Sequence, residues 1–86
     1  MVHVNYSELE FDHSVNYEQE RTIVAVGKET SSGRIRVFRI NDASGAVSVF
    51  NARRNLWESL GEPEGHDILN RLVTAWARQI PVYTVA

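Results

Sequence analysis

The hydrophobic period of this chain changes once, and that change limits the folds open to it. Three apolar runs, Thr22–Val26, Gly33–Ile40 and Ala46–Phe50, are separated by the turn-rich segments KETSSG and NDASG. Short runs joined by a few Ser, Gly, Asn and Asp residues are the signature of consecutive hairpins. From Ile68 onward the spacing becomes three to four. Ile68, Leu69, Leu72, Val73, Trp76 and Ile80 then make one broad stripe, which predicts an amphipathic helix. Strands first and a helix afterwards is the order of an α+β domain. The expected architecture is a small antiparallel sheet, a β-meander of about 3–5 strands, packed against one or two C-terminal helices.

The flanking segments are read by the same rules. Val2, Val4 and Tyr6 alternate with polar residues and suggest a first strand. Leu9, Phe11 and His13 continue in the opposite phase, so a bulge or turn is expected at Ser7–Glu8, because one extra residue exchanges the faces. Residues 14–20 are polar and read as a loop. The run Thr22–Val26 does not alternate, which suggests a central strand covered on both faces. Asn51 is placed to cap a short helix with Leu56, Trp57 and Leu60 inward and Gly61 at its end. Pro63 suits the first turn of a second helix, with Glu62, Glu64 and Asp67 near its positive pole. Pro81 stops that helix, and Val82, Tyr83 and Val85 can add a last strand. Trp57 and Trp76 read as core residues, and either becomes an interface anchor if it proves exposed.

The bulk properties narrow the class. Eighty-six residues make a single domain, 1–86, with a thin core. A hydrophobic fraction of 43 % and a charged fraction of 23 % are those of a globular chain. There is no cysteine, which removes disulfides, Cys-zinc sites and thiol chemistry and points to the cytoplasm. The N-terminal MVHVNYSELE lacks the pattern of a signal peptide. No apolar run has the length of a membrane span, so no membrane partner is expected.

Charge is sorted along the chain. Residues 1–20 carry five acids and no Lys or Arg, residues 21–54 carry seven bases against two acids, and residues 55–86 carry four acids against two bases. The net charge of −2 therefore hides a basic middle that coincides with the hairpins. If Ile35, Val37, Val47 and Val49 lie under the helix, alternation leaves Arg34, Arg36, Phe38, Ser48 and Phe50 on the free face, with Arg53 and Arg54 just beyond. Guanidinium groups take carboxylate or phosphate in a bidentate fork, and aromatic rings supply flat contact area. The same pairing of residue types marks protein–protein hot spots and single-strand nucleic-acid platforms. The acidic N-terminal segment could instead lie against these strands and neutralise them.

Other chemistry is thinly represented. His3, His13 and His66 share no ligand spacing, so no metal or cofactor is expected. Asp12, His13 and Ser14 are adjacent, and neighbours on a strand point to opposite faces, so they do not form a relay. Glu62, Glu64 and Asp67 are explained by the helix dipole. The glycines have no phosphate-loop spacing. A βαββαβ order and a glycine-aromatic signature, which mark the RNA-recognition sheet, are both missing. The expected function is a small non-enzymatic protein-interaction module, an adaptor or inhibitor of the kind encoded by phages and mobile elements. The alternative is a nucleic-acid-binding domain using the same basic-aromatic face. A pI near 5.9 weighs against general nucleic-acid binding. An exposed edge strand, 2–6 or 82–85, offers a route to a homodimer.

Overall fold

The computed structural model describes all residues, Met1–Ala86. A single 3-10 turn, Tyr6–Glu8, precedes β1 (Leu9–Tyr17), β2 (Thr22–Glu29), β3 (Ile35–Asn41), β4 (Val47–Asn51) and β5 (Leu56–Leu60). The helix α1 (Glu64–Ala77) and the strand β6 (Val82–Val85) complete the chain. All strands join one sheet in the order β5-β4-β3-β2-β1-β6. The first five form an antiparallel meander, whereas β6 runs parallel to β1. A parallel neighbour needs a crossover, and α1 supplies it. The helix leaves the β5 edge and returns the chain at the opposite edge, so it covers one side of the sheet. It is too short and too polar to cross a membrane.

The core follows from alternation on the strands and the stripe on the helix. Leu9, Phe11, Ala25, Phe38, Ile40, Val47 and Val49 face α1, which contributes Ile68 and Leu72. Each fully buried side chain of this size contributes about 1.5–3 kcal/mol relative to exposure. Val4 reaches the same core from the N-terminal segment. Val73, on the margin of the helical stripe, is 58 % exposed.

One irregularity in β1 sets its phase. The register with β2 passes from Phe11–Gly27 to His13–Val26, a bulge. A Cβ on Gly27 would lie 2.6 Å from the carbonyl oxygen of Glu10, so the close approach of the two backbones at the bulge requires glycine. Beyond the bulge Ser14 turns inward and is fully buried. Its hydroxyl accepts the Trp76 indole N–H at 2.9 Å, which ties helix to sheet.

Several expectations need correction. Residues 1–5 are not a strand; they lie across one end of the sheet. The turn expected at Ser7–Glu8 is the 3-10 turn, but His13 does not keep the phase of Leu9 and Phe11, because the bulge after Phe11 moves it to the uncovered face. β1 continues through Tyr17, so only residues 18–21 form the loop. Leu56–Leu60 is a strand and not a helix. Asn51 is buried there, with its oxygen accepting the Arg54 N–H at 3.1 Å and its Nδ2 donating to Glu58 at 2.9 Å. These bonds close the β4–β5 hairpin, a use of Asn that resembles a cap in sequence. A single helix packs on the sheet, so β2 is covered on one face only. The sheet edges are β5 and β6, which places 82–85 at an edge and removes 2–6.

Candidate functional site

The β3–β4 register decides which side chains are free. Asn41 N–H donates to the Ala46 carbonyl at 2.9 Å, and the ladder then pairs Ile40 with Val47 and Phe38 with Val49. Paired residues share a face. Phe38 therefore sits with the valines under α1, fully buried, and its ring meets Phe11 edge-on at 5.8 Å. Its expected place on the free face is overturned. Ile35 and Val37, expected beneath the helix, are on the free side. Ser48 and Phe50 are on the free side as expected.

Arg36 has the parity of Phe38 and points toward the covered side. It donates to the Glu29 carboxylate and, at 3.0 Å, to the His3 carbonyl. The ion pair with Glu29 is almost enclosed, with the two side chains 14 % and 8 % exposed. Burial pushes the Glu29 carboxyl up. The Arg36 hydrogen bond and charge, with the Asn5 N–H and the Arg34 charge, more than reverse this and hold it below the usual range. Arg36 is thus neutralised from within, by β2 rather than by the acidic N-terminus. Glu58 is held low in the same sense, first by the Asn51 side chain and then by the Val2 N–H.

The uncovered side of the sheet is unusually apolar. Across β2–β5 the register puts Val24, Val26, Ile35, Val37, Phe50 and Trp57 on it. The charged residues of that stretch are Lys28 and Arg39, and no carboxylate of β2–β5 shares the face. On β1, Glu10 stands directly opposite Lys28 on this face, and Asp12 at the bulge holds His13 at 2.7 Å. Phe50 and Trp57 pack edge to face at 5.2 Å, and the Arg39 guanidinium lies 4.6 Å from the Trp57 ring centre. Trp57 and Arg39 were not singled out as a pair by sequence. The hairpin register across β3, β4 and β5 is the signal that joins them. Farther along, Val15, Tyr17, Tyr83 and Val85 extend the face, with Tyr83 edge-on to His13 at 6.0 Å.

Five of the arginine-and-aromatic set do converge. The β3–β4 register ends at Phe38–Val49, although β3 begins at Ile35 and β4 runs to Asn51. Between the parted strands is a cleft of about 820 Å³ lined by Arg34, Arg36, Phe50, Arg53 and Arg54, with Met1–His3 along one side. Arg34, Arg53 and Arg54 are exposed, and none belongs to an ion pair of the chain. Phe38 and Ser48 lie outside this cleft. No cluster of three or more His, Cys, Asp or Glu side chains has the geometry to hold a metal ion.

No family model, curated protein or solved structure matches the chain. What the molecule does has to be read from its own surfaces.

Proposed function

We propose that this chain is a non-enzymatic interaction module that docks on another protein through the uncovered side of its sheet. The observation that carries the reading is the one-sided helix. The opposite side of β2–β5 presents six apolar side chains, Ile35 exposed and the other five half-buried, with two cations and no carboxylate until Glu10 on β1. A contiguous apolar sheet face left in water marks an interaction surface. Its chemistry specifies the occupant: a protein surface with apolar side chains at its centre and Asp or Glu around them, which Lys28 and Arg39 would meet. Phe50 and Trp57, held together with Arg39, are the aromatic and arginine types that carry most binding energy at interfaces.

The nucleic-acid reading is weaker on three counts. Phe38 is lost to the core. Phe50 and Trp57 are engaged with one another, and Arg39 lies over Trp57. The remaining face is mainly valine, which offers no stacking plane.

A photo-crosslinking amino acid at Val26 tests the proposal, with the same group at exposed Val73 on the helix as comparison. The expected result is a protein adduct from Val26 alone. Binding of that purified protein should then weaken at least about tenfold with Val24→Glu and stay unchanged with Val73→Glu. Equal binding by both variants refutes the docking face. A dimer in sedimentation that Val24→Glu disperses also refutes it, because the occupant would be a second copy.

A further inference from the structure

The cleft between β3 and β4 has features that the flat face lacks, and they define what enters it. On β3, Asn41 bonds toward β4, so alternation turns the backbone of Arg39, Val37 and Ile35 to the same side. Because the pairing stops at Phe38–Val49, the N–H and C=O of Ile35 face the cleft with no strand opposite. A free strand edge recruits an extended segment through main-chain hydrogen bonds. Around that edge stand Arg34, Arg53 and Arg54, each outside the chain's ion pairs. Ile35, Val37 and Phe50 belong both to the cleft and to the uncovered face, so the two surfaces are continuous.

We propose that this cleft receives an extended acidic peptide segment of the docked protein, with carboxylates on Arg34, Arg53 and Arg54 and an apolar side chain against Phe50. The proposal rests on the docking reading given above and specifies the part of the partner that enters the sheet. Extended peptide is favoured over a polynucleotide by the free backbone edge. Arg36 has a different task. Tied to Glu29 and to the His3 carbonyl, it fixes the N-terminal segment as the side of the cleft.

The test uses the intact chain and a short fluorescein-labelled peptide of alternating Glu and Val. The comparison probes are its Gln-for-Glu counterpart and a labelled oligouridylate. The proposal expects anisotropy to report binding of the Glu peptide, with amide shifts at Ile35–Val37 and residues 50–54. The Gln counterpart should bind at least about tenfold more weakly, and the double variant Arg34→Gln/Arg53→Gln should lose about the same factor. Both arginines are exposed, so the variant keeps the fold, which circular dichroism checks. Absent binding, equal affinity for the Gln peptide, or an unchanged affinity in the variant overturns the proposal. Tighter binding of oligouridylate also overturns it, and makes nucleic acid the occupant. The two readings fail separately. If the crosslinked partner binds the arginine variant normally but not Val24→Glu, the acidic segment is wrong and the docking face stands.

Discussion

Replacing Phe38 with Ala, beside the same change at Phe50, measures the side of the sheet on which each ring resides. Phe38 is 0 % exposed, is paired with Ala25 on one side and Val49 on the other, and meets Phe11 edge-on. Its neighbours are anchored in strands, and Ala25 is too small to fill the space. Phe-to-Ala changes in such a core cost about 3–5 kcal/mol, including the cavity left behind. Phe50 is half-buried on the open face and loses mainly its contact with Trp57, which is about 1 kcal/mol. A domain of this size has a total stability of roughly 4–13 kcal/mol. Phe38→Ala therefore removes about a quarter or more of it, and lowers the melting temperature by about 15–30 °C. Urea unfolding followed by far-ultraviolet circular dichroism gives both numbers, with equal m-values confirming that the same surface is exposed. Equal losses at the two positions, or a loss at Phe38 under about 1 kcal/mol, would show that the β3–β4 register is wrong.

Three other measurements probe the framework. Gly27→Ala forces a methyl against the Glu10 carbonyl at 2.6 Å and should cost about 1–3 kcal/mol in urea unfolding; a neutral result would mean that β1 has no bulge there. Ser14→Ala removes the acceptor of the Trp76 indole N–H and should cost about 1–3 kcal/mol, with a change in Trp fluorescence that Ser48→Ala does not produce. Acid should weaken the fold through Glu29 and Glu58, whose carboxyls are held below the usual range. Their lowered folded values mean that the unfolded chain binds protons first. Stability is thus complete above the ordinary Glu value of about 4.3 and declines as pH falls through it toward the folded values. Glu29→Gln should flatten this dependence; an unchanged slope below pH of about 4 would contradict the Arg36 pairing.

Much of the fold was legible in the linear pattern. The turn clusters at residues 30–33 and 42–45 separate β2, β3 and β4, and the Ile68–Ile80 stripe gives α1 because both are local signals. Leu56–Leu60 was not legible as a strand. Leu56, Trp57 and Leu60 stand at i, i+1 and i+4, a helical spacing, and pairing with β4 overrides it by putting Leu56 and Leu60 on one face and Trp57 on the other. The polar stretch Ser14–Tyr17 became strand for a similar reason. Its backbone is paired on both sides, by β2 and β6, whatever its side chains prefer.

The candidate face turned on one residue of loop length. Counting NDASG as a five-residue loop places Phe38 with Ser48 and Phe50. The Asn41–Ala46 hydrogen bond leaves four residues, Asp42–Gly45, and moves Phe38 beside Val49. A one-residue difference reverses every side chain because the strand period is two. Strand alternation marks Arg34, and a place just beyond β4 marks Arg53 and Arg54. Their meeting around a cleft with Phe50 came from strands that separate after Phe38–Val49. Sequence by itself determined the class, the order of the hairpins and helix, and the basic character of the middle, since these depend on local composition and periodicity. Tertiary structure decided which face the helix covers and which charges stay free, because those outcomes depend on the pairing register and on how the strands pack and part, which periodicity within one strand does not carry.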